Sequence, residues 1–384
     1  MQSNKLRLAI RATAAAAVLG VAGQAGAVSF TAGDYDMAIY GYARLNASYD
    51  IDSEQALSTR SGSYAGLAGN DNAADGHFGA DAVQSRIGVK TTTPEGVNIT
   101  VEGDFRGGTL RLRHAFGEYN GVLMGQTWSN YTSFVGNTST LDFDSLPGLA
   151  GFQGRVAQAR YTTGPLSVSL EEFTANLVAN GVVNGNPALV SQGTKKSMPA
   201  LTARLQDSAG GLSYSAAVLA QQIGYDTGTA DDSAMGFATF GALKMAITDM
   251  VTIQGTVSYT NGANSYLYRS GDNFGAASAY VDANGNVETV SGFGGSVGTG
   301  ISLGGGRSIN IGYGMVEVDW DDAQADGLLV GGESETNSAI MANYQWTPVK
   351  NVMMGVEFQN LSRENVDGTD GDANRILFAT QYNF

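Results

Sequence analysis

The stretch LRLRHAFGEY, Leu110 to Tyr119, alternates cations with leucines, and this alternation limits the possible folds more than any other feature of the chain. Successive side chains of a strand point to opposite faces, so Arg111, Arg113 and Ala115 share one side, and Leu110, Leu112 and Phe116 lie on the other. Neighbouring cations on one face need water or anions opposite them, while the leucine face tolerates hydrocarbon. A transmembrane barrel meets both needs, with apolar side chains toward lipid and polar ones toward the lumen. GQTWS follows across a tight turn. A long polar interruption containing TLDFDSLPGLAG comes next, and then a further strand, FQGRVAQARYTT. Leu110 to Thr163 therefore reads as the constriction of a pore.

The flanking segments repeat the pattern. From Met37 to Asp50, Met37, Ile39, Ala43, Leu45 and Tyr49 oppose Tyr40, Tyr42, Arg44, Asn46, Ser48 and Asp50. From Ala82 to Thr92, Val83, Ile87 and Val89 oppose Gln84, Arg86, Lys90 and Thr92. After the turn Pro94-Glu95-Gly96, Val97, Ile99, Val101 and Phe105 oppose Asn98, Thr100, Glu102, Asp104 and Arg106. Cations inside strands are costly against lipid, so these are expected to face a wet lumen.

Alternating segments continue at hairpin spacing: Leu166 to Phe173, Met198 to Leu205, Leu212 to Gln221, Met235 to Ile247, Met250 to Asn261, Gly292 to Leu303, Ser308 to Val318, Ser338 to Tyr344, Asn351 to Leu361 and Asn374 to Phe384. Short turns alternate with long polar loops at Ile51 to Asp81, Tyr225 to Ser233, Gly262 to Val290 and Asp319 to Thr336. The expected fold is all-β, a transmembrane antiparallel up-and-down β-barrel with one loop folded into its lumen. At roughly 20 to 24 residues per strand and connection, it has about 16 strands.

The N-terminus is expected to be a signal peptide over residues 1–27. Lys5, Arg7 and Arg11 precede an apolar run from Ala12 to Ala22, and Ala25-Gly26-Ala27 offers a small-residue cleavage site. Residues 28–384 then form the barrel domain, in the cell outer membrane and in contact with its lipid and lipopolysaccharide. Removing the three leader cations takes the formal net charge from -15 to -18, which disfavours nucleic acid as a partner. The acidic excess is expected in solvated loops and turns, where divalent cations can meet it.

There is no cysteine, and His77 and His114 are the only histidines, so neither a thiolate nor a zinc site is expected, and no cofactor. A barrel enzyme with a serine and histidine pair would have to use one of those two histidines. His114 shares the parity of Leu112 and Phe116, which aims it outward, and a boundary histidine is the simpler reading. The rival classes are a structural or adhesive outer-membrane barrel with a closed lumen, whose inward arginines would all be paired, and a soluble β-sandwich, whose apolar faces would pack together.

At LRLRHAFGEY, GQTWS, TLDF and QARYT the chain resembles the trimeric porins of Gram-negative outer membranes, and most closely the DcaP-like porins, which carry such motifs in this order. The aromatic C-terminus, Phe384, is similar to the assembly signal of bacterial outer-membrane barrels. The resemblance implies a 16-stranded homotrimeric channel whose third loop, here Asn130 to Gly151 with Asp142 and Asp144, narrows the lumen. It also implies passive diffusion of small anionic solutes such as dicarboxylates or aromatic acids. Carried onto this sequence, the lining would be Arg86, Arg111, Arg113 and Arg160, with Arg44, Lys90 and Arg106 as neighbours. DcaP-like members can carry an N-terminal coiled coil. The span between Ala27 and Met37 is too short for one, so the expected trimer rests on the barrel alone.

Overall fold

The computed structural model describes residues 27–52, 59–69 and 76–384. The expected signal peptide, apart from Ala27, lies outside the described residues.

The alternating segments form a closed, antiparallel barrel of 16 strands. In chain order these are β1 (Tyr35–Asp50), β2 in two stretches (His77–Asp81 and Arg86–Thr92), β3 (Asn98–Asp104), β4 (Arg111–Tyr119), β5 (Val122–Trp128), β6 (Arg155–Thr163), β7 (Leu166–Glu171) and β8 (Ala200–Ala209). The circle continues with β9 (Leu212–Asp226), β10 (Asp231–Ala246), β11 (Val251–Asn261), β12 (Ser291–Gly304), β13 (Arg307–Asp319), β14 (Ser334–Val349), β15 (Val352–Asn365) and β16 (Asp370–Asn383). Each strand pairs with its sequence neighbour, and β16 returns to β1 from Tyr42↔Asn383 to Asp50↔Arg375. Closure leaves no strand edge unpaired, which a hydrocarbon environment demands. Below Phe384, which exchanges backbone hydrogen bonds with Gly41, the segment Val28–Ala32 pairs with the start of β1 and completes the same column.

Burial is inverted relative to a soluble core. Leu45, Val101, Leu112, Met124, Leu201, Val218, Val257, Val297, Ile340 and Val356 point outward from all sides of the barrel and are exposed. A continuous apolar band of this kind needs lipid around it. Val257, 68% exposed in the middle of β11, tests this directly. Val257→Arg should lower folding stability in lipid vesicles by about 2–4 kcal/mol, against little change for Val257→Ala. Equal urea midpoints for the two variants would mean that this face does not meet the bilayer.

One end carries tight turns. Asn120 and Gly121, both in the left-handed region (φ 49° and 82°), make the two-residue β4–β5 connection, a backbone that asparagine and glycine tolerate. The other end carries the loops, and here three expectations change. The loop expected from Tyr225 to Ser233 shrinks to 227–230, because β9 and β10 stay paired as far as Asp226↔Asp231. The last five residues of the expected Ile51 to Asp81 loop are strand, paired with Asn46 to Asp50. Between β13 and β14 the loop is 320–333 and includes a short helix, Asp321–Ala325. Above the membrane both faces of a strand are wet, so alternation fades although pairing continues. A separate sheet also forms at this end, where the hairpin of Leu177–Val183 and Asn186–Gln192 joins Ala279–Val281 and Val287–Thr289.

The face assignment of β4 changes as well. Glu102 pairs with His114 while the next residue, Gly103, pairs with Leu112, so Arg113 is an extra residue in a β-bulge. Beyond it the parity flips. Arg113 and His114 both turn inward, Ala115 joins Val101 on the outer side, and Phe116 joins Thr100 on the inner one. His114 is thus not aimed outward as alternation suggests. It is buried, 2.9 Å from Thr127 Oγ1, with its ring edge-on to Trp128.

Candidate pore constriction

Strands β1 to β6 present a basic wall. In register across β2, β3 and β4, Asp104 lies between Arg86 and Arg111. It accepts Nε of Arg111 at 2.6 Å, Nη2 of Arg111 at 3.1 Å and Nη1 of Arg113 at 2.8 Å. Glu102, one inward position lower, accepts Nε of Arg113 at 3.0 Å and the Tyr40 hydroxyl at 3.0 Å, with Arg86 Nη1 3.6 Å away. Two carboxylates therefore hold three guanidinium groups. The bulge lets Arg113 reach both of them, and its side chain is 0% exposed.

The remaining cations of this wall have no ion pair among the described residues. Arg44 donates only to neutral oxygens: Asn46 Oδ1 (2.9 Å), Gln381 Oε1 (3.2 Å) and the Leu141 carbonyl (2.8 Å). Lys90 sits 4.8 Å from the Tyr40 ring centroid, and Arg155 sits 4.7 Å from that of Trp128.

Opposite this wall lies the loop L3, residues 129–154, folded into the lumen. At its base Glu171 accepts Ser129 Oγ and the Asn130 amide, each at 2.6 Å, and Arg204 donates to the Thr132 carbonyl. At the tip the amides of Leu141 and Asp142 donate to Glu357 of β15 at 2.7 and 2.9 Å. The far arm is held by Thr256 Oγ1 on the Gly148 carbonyl at 2.5 Å. Gly148, left-handed at φ 71°, lies against the β12 backbone at Gly295, where a Cβ would collide.

The expected residues take different places. Arg44, Arg86 and Arg113 meet the L3 tip and Arg111 joins Arg113 at Asp104, while Lys90 and Arg160 lie farther toward the turn end, Arg160 in register with Leu123 and Ser169. Arg106 is exposed in the β3–β4 connection. Asp142, 2% exposed, is engaged as an internal brace: its carboxylate accepts the amides of Asp144 and Ser145 at 2.8 and 2.9 Å, Gly62 N at 2.9 Å and Gln359 Nε2 at 3.0 Å. Asp144 pairs with Arg60 at 3.3 Å.

Between these two carboxylates Phe143 projects toward the basic wall. The guanidinium groups of Arg60, Arg86 and Arg113 lie 4.7, 5.4 and 5.6 Å from its ring centroid. A cavity of about 260 Å³ opens beside it, lined by Arg44, Gln84, Arg86, Trp128, Phe134 and Phe143 among others. Cations aligned along such a passage, over a low-dielectric wall, attract anions and take over part of their hydration.

Sequence reasoning did not assign Arg60, Arg155 or Glu357 to the site, and it read loop L6, residues 262–290, only as a long polar connection. Glu357 shares the inward parity of Gln359 and Arg363 in β15, and that signal was there to be read. Arg60 and L6 carry no periodicity. A compositional hint did exist, because SYLYR at Ser265 to Arg269 is aromatic for a solvated loop, and all five residues are buried.

A family model described as DcaP outer membrane protein matches residues 26–384. Among solved structures, the outer membrane channel DcaP of Acinetobacter baumannii is 28% identical, with a TM-score of 0.76 over 93% of this chain and 100% of that one. The anion-selective porin from Comamonas acidovorans (11% identity, TM-score 0.54, 91% of this chain and 100% of that one) shares the fold. So does Salmonella typhi OmpF in complex with daunomycin (12%, 0.57, 93% and 100%). No curated protein matches the chain.

Proposed function

Because the chain belongs to the DcaP outer membrane protein family, a family of outer-membrane channels, we propose that it is a passive diffusion porin favouring small anions, dicarboxylates in particular. The observation that carries this reading is the charge balance of the β1–β6 wall. At the level of L3, Arg44, Arg86, Arg111, Arg113 and Arg155 face Glu102 and Asp104, a local excess of positive charge, while Asp36, Asp50, Asp81 and Glu118, with Lys90 and Arg160, lie toward the ends of the same wall. Guanidinium keeps its charge and can hold a carboxylate by two hydrogen bonds. A solute with two carboxylates can therefore bridge Arg44 and Arg86, which line one cavity, before moving to the next cation. Binding at each step must be weak, since a solute held tightly would not leave. Asp142 and Asp144 in this account shape L3 and supply the acidic side of a transverse field. The working form is a homotrimer exported by a cleaved leader.

The experiment is the reversal potential of the purified protein in planar bilayers under a tenfold salt gradient. An anion-selective channel whose current is reduced by millimolar dicarboxylate is the expected result. Cation selectivity would overturn the solute class. No channel at all would favour a closed barrel, a reading that the pairing of Arg86, Arg111 and Arg113 with Glu102 and Asp104 supports.

A further inference from the structure

L3 is not the only loop inside the barrel. L6 descends beside it, and every residue from Gly262 to Gly271 is buried. At its centre Arg269 adopts φ 64°, a left-handed conformation that a long, Cβ-bearing side chain takes only when its surroundings compel it. Its side chain is fully buried, with the guanidinium 4.8 Å from the Tyr64 ring centroid. It pairs with no carboxylate among the described residues. Nη1 donates to the Ser145 carbonyl of L3, and Nη2 donates to the Gly62 carbonyl of L1 (51–76) at 2.8 Å. The wall holds the same residue from behind, since Asn337 Nδ2 of β14 donates to the carbonyls of Arg269 (2.9 Å) and Gly271 (2.6 Å).

Neighbouring contacts follow the same line. Gly148 N donates to the Tyr268 carbonyl at 3.0 Å, Asn273 Nδ2 to Ser63 Oγ at 2.7 Å, and Tyr64 N to the Asp272 carbonyl at 3.2 Å. Three chain segments far apart in sequence thus meet at one cation, whose hydrogen bonds end on backbone carbonyls and whose face lies over the Tyr64 ring. Ser145 is three residues from Asp142 and two from Phe143, so whatever fixes the Ser145 carbonyl also fixes how far Phe143 reaches toward Arg86 and Arg113.

We propose that Arg269 is a positioning residue for permeation: it joins L6, L3 and L1 into one rigid constriction, and the open cross-section is set by this three-loop assembly. A buried cation with carbonyl acceptors suits the task, because charged hydrogen bonds are strong and directional, and a carbonyl neither titrates nor turns away to pair elsewhere. The proposal rests on the lumen conducting ions.

The test is single-channel recording of Arg269→Met, which keeps the bulk and removes both donations, beside Arg269→Lys, which keeps the charge but cannot span both carbonyls. Arg269→Met should raise conductance at least twofold, with more open-channel noise and weaker ion selectivity, and Arg269→Lys should fall between it and wild type. A purely structural role would lower the melting temperature and leave conductance and selectivity where they were. The chain lacks cysteine, so Ser63→Cys with Asn273→Cys can be oxidised cleanly to lock L6 onto L1. In the Arg269→Met background, oxidation should return conductance to the wild-type value and reduction should release it again. Should Arg269→Met match wild type, or should the redox state leave its conductance unmoved, the proposal is overturned. If wild type itself conducts nothing, the porin reading fails instead.

Discussion

Replacing Arg111 and Arg113 together by alanine should turn an anion-preferring channel toward cations. The two guanidinium groups account for four of the hydrogen bonds received by Asp104 and Glu102. Without them the carboxylates keep one cation in range, Arg86 at 3.6 Å from Glu102, and the neutral donors Tyr40 Oη and Arg106 N. A unit charge about 8 Å from a permeating ion, at an effective dielectric of about 40, is worth about 1 kcal/mol. Losing two positive charges while exposing two negative ones should then move the anion-to-cation permeability ratio by at least roughly tenfold. The effect should weaken above about 1 M salt, where the screening length falls to about 3 Å. Arg307→Ala, exposed at the β12–β13 turn, is the control and should change the ratio by less than about twofold. If the double variant keeps the wild-type reversal potential, the eyelet lies elsewhere and Arg44 with Arg155 become the residues to test.

Glu357→Ala should release the tip of L3. This carboxylate is 0% exposed and accepts four donors: the amides of Leu141 and Asp142 at 2.7 and 2.9 Å, and the side-chain amides of Asn343 and Gln359, each at 2.8 Å. Removing it leaves four buried donors without their acceptor, and hydrogen bonds to a charged group are worth roughly 1.5–3 kcal/mol each. Gln359, which bridges the two carboxylates, keeps its bond to Asp142 and loses its other carboxylate acceptor. The local loss should therefore be at least about 3 kcal/mol, confined to the loop because the barrel ladder does not depend on it. The expected record is a larger and flickering single-channel current, with proteolysis newly possible between Thr140 and Ser145, while the heat-resistant barrel band on gels persists. Glu357→Gln keeps two of the four acceptances at best and should lie between. A quiet channel of unchanged conductance in both variants would mean that Arg44 and Gly62, which also hold this tip, are sufficient.

Family, fold and strand number were legible in the sequence because each rests on a local rule. Lipid outside and water inside impose a period of two on every strand, so Leu45, Val101 and Val257 announce one face, and Arg44, Glu102 and Thr256 the other, without reference to any distant residue. Where one residue breaks the period, local reading fails. The bulge at Arg113 reversed the faces of His114, Ala115 and Phe116, and only the pairing of Gly103 with Leu112 reveals it.

The constriction was legible in part. Arg86, Arg111 and Arg113 were placed on the inward face because cations inside a strand have few places to go, and L3 was located by its motif. Asp142 and Asp144 were placed on the right loop, yet their engagement with Gly62, Gln359 and Arg60 depends on chain segments between 80 and 217 residues away. Arg269 illustrates the limit further. Its loop has no period, its partners are carbonyls that every residue possesses, and no residue type marks the backbone that will receive a cation.

What the sequence by itself determined is therefore the scaffold: a closed barrel and a basic inner wall, each following from the solvent on either side of a strand. What only the tertiary structure decided is the aperture. The widths of the passage beside Phe143 and the choice of which cations remain unpaired are set where L1, L3 and L6 meet the wall, through hydrogen bonds between segments far apart in the chain. Such contacts leave no local imprint, because a backbone amide or carbonyl acquires its partner only once the barrel has closed and brought that partner within reach.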